Sequence, residues 1–302
     1  MLKTLRLRFI LFNMLVVLLL ITVLSVTIFA GTKNELSLHR IFFVAIFCIA
    51  IAFVSSYLIS KQAVLPIKNA WQKQLDFTAD ASHELRTPLA VIQTNLEIVM
   101  DSPEETVASQ MKWLENIHIE QQHMERLVSD LLTISRADTG EEEIQRTVFS
   151  LDSLLKSIVE KFSPVCQNKT IQLKANLASE VPFYGDQQRI NQLVMILLDN
   201  AYQYSNEGGQ ITLTLKNLPK DTQISVKDTG IGISEENVTK LFDRFFRVTN
   251  SRKKNPDGLG LGLSIAKLIT QQHQGDITVT STVGEGTEFI VTLPKKSESS
   301  IE

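Results

Sequence analysis

The stretch SHELRTPL, Ser82 to Leu89, sets an imidazole, His83, beside a carboxylate, Glu84, with a hydroxyl, Thr87, one helical turn further on and Pro88 directly after it. A neutral imidazole is a nitrogen nucleophile, and an adjacent carboxylate can orient the ring or take its proton. Thr87, four residues from His83, falls on the same helix face. Pro88 has no N–H, so the carbonyl of Glu84 loses its helical partner and a kink is expected there. His39, His118, His123 and His273 stand without such company and are expected at the surface. A second kind of chemistry lies in two glycine-rich segments, DTGIGI (Asp228–Ile233) and GLGLGL (Gly258–Leu263). Glycines ahead of a helix N-terminus let backbone N–H groups approach phosphate oxygens, and the helix dipole favours the charge. One such loop alone serves equally well as a tight turn into a packed helix.

Those residues must be held by larger elements. The chain has 302 residues, enough for two compact units with additions. Two nearly continuous apolar runs, Phe9–Ala30 and Ile41–Ile59, each match the roughly 20 residues a helix needs to cross a bilayer. The first is too long for a cleaved signal. Lys3, Arg6 and Arg8 precede the first run, and Lys61, Lys68 and Lys73 follow the second, which places both ends in the cytoplasm. The segment between them, GTKNELSLHR, is too short to fold around a ligand. Cys48 lies in an apolar run and Cys166 in a cytoplasmic stretch, so no disulfide framework is expected. A formal charge of −3 offers no basic footprint for nucleic acid.

From Leu85 the apolar residues Leu89, Ile92, Leu96 and Val99 recur in alternating steps of four and three, the seam of a bundled helix. The pattern breaks at DSPEE, where Ser102 is the expected N-cap, Pro103 the first helical residue and Glu105 the partner in a capping box. A second helix with the stripe Leu114, Ile117, Met124, Val128 and Leu131 runs to about Gly140. Two antiparallel helices cannot bury both apolar faces alone, so a dimeric four-helix bundle is the economical solution. Beyond Glu141 the expected elements are helices at about 151–167, 186–204 and 261–272 and strands at 211–218 and 222–228, with a final pair in DITVTSTVGEGTEFIVTL. An α/β sandwich, with helices on one face of a mixed sheet, accommodates that order.

SHELRTPL, LLDNAYQYS, DTGIGI, LFDRFFR, GLGLGL and GEGT, in that order, resemble the H, N, G1, F, G2 and G3 boxes of bacterial sensor histidine kinases. The resemblance covers residues from about Leu75 to Pro294. It implies a dimerising hairpin that carries the phosphoacceptor, followed by an ATP-binding domain of the kind shared with gyrase, MutL and Hsp90. By the same resemblance His83 is the nucleophile toward the γ-phosphate of ATP, Glu84 its base, and Thr87 the residue that positions water for dephosphorylating a response regulator. Asn200 corresponds to the Mg²⁺ ligand and Asp228 to the acceptor for the adenine amino group. Gly230 and Gly232 keep the base wall clear, Tyr204 packs near the base and Arg247 reaches phosphate. Gly258, Gly260 and Gly262 form the phosphate loop, and Thr287 in GEGT completes the nucleotide site. VTNSRKKNPD, with Arg252, Lys253 and Lys254, suits a lid.

Four positions depart from the family pattern. Ile196 stands where relatives carry asparagine and Gln203 where they carry lysine, which removes a cation from the phosphates; Asp257 and Leu259 replace smaller residues. No complete HAMP relay fits between Ile59 and Phe77, only one connecting helix. The expected organisation is a membrane anchor over 1–65 with spans at about 9–30 and 41–59, a dimerisation and phosphoacceptor domain over 66–140, a catalytic domain over 141–296 and a polar tail over 297–302. The expected activity is self-phosphorylation of His83 from Mg-ATP and transfer to an aspartate of a response regulator. The setting is a homodimer in the bacterial cell membrane, with both termini cytoplasmic and a stimulus from the bilayer or a membrane protein partner. A degenerate kinase that acts as a regulator phosphatase or scaffold accounts for Gln203 and Ile196 as an alternative. A soluble-type ATPase or chaperone explains the glycine boxes but neither SHELRTPL nor the apolar runs.

Overall fold

The computed structural model describes residues 37–139, 144–248 and 258–295 and several positions between 15 and 26; side chains before residue 74 are described only in part. The chain divides into two compact units, residues 1–78 and 79–302. In the first unit the positions described between 15 and 26 are helical, as are residues 37–78, which belong to helix α1 (Ser37–Asp101). Most of the first expected span, 9–30, lies outside the described residues, as do most of the connecting loop, residues 249–257 of the expected lid with Arg252, Lys253 and Lys254, and the tail after 295. Among the described residues no helix is long and apolar enough to cross a membrane.

In the second unit, the part of α1 after residue 78 forms a hairpin with α2 (Val107–Thr139). Pro88 is buried and does not end α1. The turn between the helices corrects one expectation, since Thr106 and not Ser102 caps α2. The Thr106 hydroxyl accepts from Ser109 N at 3.3 Å, and Glu105 accepts from the Ser109 hydroxyl at 3.1 Å. The Ser102 carbonyl closes the turn instead: it accepts from Glu105 N and, at 2.8 Å, from the buried Gln110 amide, which also donates to the Val99 carbonyl. One side chain thus closes the end of α1. Deeper in the hairpin, Asn116 donates to buried Asn95 at 3.3 Å, and Leu127 and Ile134, seven residues apart, are the buried apolar residues of α2.

The remainder is a layered α/β domain. β1 (Thr147–Ser150) pairs antiparallel with β3 (Pro182–Gly185), and α3 (Leu151–Gln167) starts directly at the end of β1. The main sheet joins β2 (Gln172–Leu177), β4 (Gln210–Asn217), β5 (Asp221–Asp228), β7 (Gly286–Pro294) and β6 (Asp276–Thr282) in that spatial order, with only the β2–β4 pair parallel. Helices α3, α4 (Gln187–Tyr204) and α6 (Gly262–Gln272) pack on the sheet, while α5 (Glu235–Val238) is a single turn. Helix α4 buries Ile190, Leu193, Val194, Leu197, Leu198 and Ala201 along one stripe, each large residue contributing about 1.5–3 kcal/mol on burial. Its N-cap is Asp186, whose carboxylate accepts from Gln188 N and Arg189 N at 3.0 and 3.1 Å.

His273 was expected at the surface and is instead buried at 6% exposure. Its Nδ1–H donates to the Ile269 carbonyl at 2.8 Å, which leaves Nε2 to accept from Asp186 N at 3.0 Å. The ring therefore works as a neutral strut between the end of α6 and the cap of α4. Burial, the first cause, and the positive charge of Arg146 hold its pKa below the ordinary histidine value, against the Ile269 bond and Asp186.

Candidate active site

Alternation along β5 delivers the first site residue. Thr222, Ile224, Val226 and Asp228 are all buried, because every second side chain of a strand faces the core. The face that buries the sheet's apolar residues ends in an acid. One Asp228 oxygen accepts from Gly230 N at 2.7 Å, and the Thr287 backbone N–H also binds the carboxylate; burial raises its pKa above the ordinary range against both bonds. Thr287, on the matching face of β7, is buried and shares a 2.8 Å hydroxyl contact with Ser281.

Asp228 and Thr287 line a cleft of about 560 Å³, a size suited to a small-molecule ligand. Asn200, Tyr204, Gly232, Arg247, Gly258, Gly260 and Gly262 line it too. Asn200 donates Nδ2 to the Ile196 carbonyl at 3.0 Å, which makes Oδ1 the atom with which it would hold a hard cation. Mg²⁺ takes one or two protein oxygens and fills its shell with water and phosphate, so a single amide oxygen at the rim fits that ion. Gly260 has φ +70°, and a Cβ there would lie 2.8 Å from the Phe245 backbone. Phe245 itself takes φ 59°, an uncommon conformation for a bulky residue. The F segment and the glycine loop thus lock together backbone to backbone. Gly230 is not among the cleft-lining residues; a side chain there would strike the Tyr204 carbonyl. What demands glycine at 230 is the protein's own backbone, not a clear wall for the base.

His83, Glu84 and Thr87 are not among the residues lining the cleft. They sit on α1, with His83 and Thr87 exposed and Glu84 half-buried; the Thr87 hydroxyl donates weakly to the His83 carbonyl at 3.4 Å.

Sequence reasoning missed one wall. His123, Arg126 and Asp130 of α2 line the cleft opposite Gln192, Met195, Ile196, Asp199 and Gln203 of α4. His123 is mostly buried, at 17% side-chain exposure, and pairs with Glu120 at 3.6 Å, contrary to the expected surface position. Burial raises the pKa of Asp130 against the opposing charge of Arg126. Asp199 is exposed, and partial desolvation by the protein around it raises its pKa, against a Gln203 hydrogen bond and the charges of Arg126 and Lys169. The spacing of His123, Arg126 and Asp130 on one helix face was the available signal. Below the cleft, Arg244 grips Asp138 at the end of α2 with two bonds, 2.9 and 2.7 Å.

Comparison with known proteins agrees with this geometry. Residues 73–140 match the His Kinase A (phospho-acceptor) domain. Residues 185–297 match the histidine kinase-, DNA gyrase B-, and HSP90-like ATPase. The sensor histidine kinase RppB of Synechocystis is 35% identical over 82% of the chain and 55% of its own length. The sensor protein SrrB of Staphylococcus aureus is 33% identical over 75% of the chain and 39% of its own. The chain thus spans about half the length, or less, of these curated relatives. Among solved structures, histidine kinase ThkA in complex with response regulator TrrA superposes with a TM-score of 0.60 at 24% identity, over 76% of this chain and 64% of that one. Full-length ShkA in complex with AMPPNP gives 0.56 at 25% identity, over 74% and 46%. With an exposed histidine on a phosphoacceptor hairpin and an ATPase cleft in one polypeptide, the chain belongs to the two-component sensor histidine kinases.

Proposed function

We propose that the chain is a membrane-anchored kinase that phosphorylates its own His83 from Mg-ATP and passes the phosphoryl group to an aspartate of a response regulator. In the first step a nitrogen of neutral His83 bonds to the γ-phosphorus, the bond to the bridging oxygen breaks, and ADP leaves with that electron pair. Glu84 orients the imidazole and takes its proton. In the second step a regulator carboxylate displaces the imidazole. Thr87, on the same helix face, positions the water that removes phosphate from the regulator. Asn200 would hold Mg²⁺, which would supply positive charge against the phosphates. Asp228 accepts from the adenine amino group, Tyr204 flanks the base, and Arg247 with Gly258, Gly260 and Gly262 faces the phosphates.

The observation that carries this reading is a single cleft with a buried carboxylate at the sheet and an amide oxygen at the helix, in a chain that also presents His83 beside Glu84 on an exposed helix face. Leu89, Leu96, Met100, Met111, Val128 and Leu132 of the hairpin are 44–69% exposed; a second copy that completes a four-helix bundle covers them. The apolar runs at 9–30 and 41–59 anchor this dimer in a bacterial cell membrane with both termini inside. With so short a segment between the spans, the stimulus comes from the bilayer or a membrane protein partner. Ile196 and Gln203 in the cleft wall favour, as the second reading, a chain that works mainly as a regulator phosphatase.

Incubation of the membrane-extracted chain with γ-labelled ATP tests both. Acid-labile, base-stable label that disappears in His83→Gln, with ATP affinity held within a few-fold, is the expected result. Absence of label on a chain that still dephosphorylates its regulator establishes the second reading. Label that persists in His83→Gln sinks the assignment of the nucleophile.

A further inference from the structure

Two cationic side chains line the cleft among the described residues, Arg247 and Arg126. Arg247 follows the F segment of the ATPase domain, whereas Arg126 comes from the hairpin. We infer that Arg126 binds the phosphate chain of the nucleotide, so that the second hairpin helix completes the nucleotide site of the ATPase domain. This rests on the reading of the cleft as an ATP site and goes beyond it, since it assigns part of that site to the phosphoacceptor hairpin.

The argument is one of placement and charge. Arg126 lines the same cleft as Asn200, Gln203, Gly258 and Gly260, the residues that surround the expected phosphate positions. Arg126 is exposed and acts on the carboxylate of Asp199, the residue next to Asn200, and on Asp130 one turn along its own helix. Both acids thus feel its charge at the cleft wall. A guanidinium presents five donors in a fork whose geometry matches phosphate oxygens. Position 203, in the cleft wall, is a neutral glutamine, and an ATP complex with one Mg²⁺ remains anionic. Arg126 reaches across from the facing helix to supply the charge. Binding of ATP and docking of the ATPase domain on α2 are then the same event.

Displacement of a fluorescent nucleotide from the detergent-extracted full chain, in the presence of Mg²⁺, tests this with ATP, ADP and adenosine as competitors. Arg126→Gln should weaken ATP and ADP about tenfold, the scale of one charge-assisted hydrogen bond, and leave adenosine within about twofold. Arg126→Lys should retain most of the affinity, and Gln203→Lys added to Arg126→Gln should restore it, because both return a cation to the phosphates. ATP affinity unchanged in Arg126→Gln overturns the inference. So does a parallel loss of adenosine, which marks a structural role. A wild-type chain that binds none of the three overturns the ATP reading itself.

Discussion

At the scale of single residues the cleft is organised by one acid and one amide. Asp228 is buried at the end of an apolar strand face, with its carboxylate bound by two backbone N–H groups, which leaves acceptor capacity for a ligand donor. Asp228→Asn preserves shape but turns one acceptor into a donor. The expected outcome is a loss of ATP and adenosine affinity of about tenfold to a hundredfold, corresponding to about 1–3 kcal/mol for a mispaired buried group. The melting temperature should move little. Displacement titration alongside thermal unfolding checks both, and equal affinities would show that Asp228 only ties the β5 turn to β7.

Elements decide where those residues go. His273 props the N-cap of α4, the helix that carries Asn200, and does so only as a neutral ring. Its folded pKa lies below its unfolded one, so above about pH 6.5 both states are neutral and the group contributes nothing to the pH slope. As pH falls below that value the unfolded chain takes up the proton first and stability declines. A denaturation midpoint that drops between pH 7 and pH 5.5, and drops less in His273→Gln, is expected; identical slopes would dismiss the strut. A second element-level contact is the Arg244–Asp138 pair between the F segment and α2, with side chains 35% and 45% exposed. At that exposure its contribution to stability is about 1 kcal/mol or less, but it ties the ATPase domain to the end of the hairpin away from the turn. On the proposed reading, with His83 outside the cleft, release of this contact frees the domain to bring ATP to His83. Asp138→Ala should raise the initial rate of self-phosphorylation at saturating ATP, Arg244→Ala should do the same, and the double variant should add nothing further. A slower Asp138→Ala enzyme would identify the pair as part of the productive arrangement.

For the whole molecule the prediction concerns the hairpin's exposed apolar face. Leu89 and Leu96 are spaced by seven residues and are 55% and 46% exposed, an arrangement that water does not favour on an isolated hairpin. Glutamate at both positions should dissociate the dimer, since two charges from each copy would be buried in the bundle. The mass of the detergent-extracted chain should fall to that of a monomer, while adenosine binding persists in the intact ATPase domain. A dimer that survives the double substitution places the interface elsewhere.

Much of this protein was legible in its residues because the informative signals are local. Period-two alternation in ITLTL and ISVKD located β4 and β5, and the expected bounds of α3, α4 and α6 lie within a residue of the observed ones. The order of the six boxes pointed to the family. Strands β1, β2 and β3 went unnoticed, since QLKANL is largely exposed and the two-strand pair is only four residues long on each side. The cap of α2 lies at Thr106, not Ser102, because residues 102–105 form a turn closed by Glu105 N on the Ser102 carbonyl and the helix starts only at Val107. Only the tertiary structure could show that His273 is a buried strut rather than a surface residue, that Gly230 is required by the Tyr204 carbonyl, or that His123, Arg126 and Asp130 form a wall of the cleft. Each depends on a group distant in the sequence being brought within a few ångströms, and packing between elements, not periodicity within one, sets such distances.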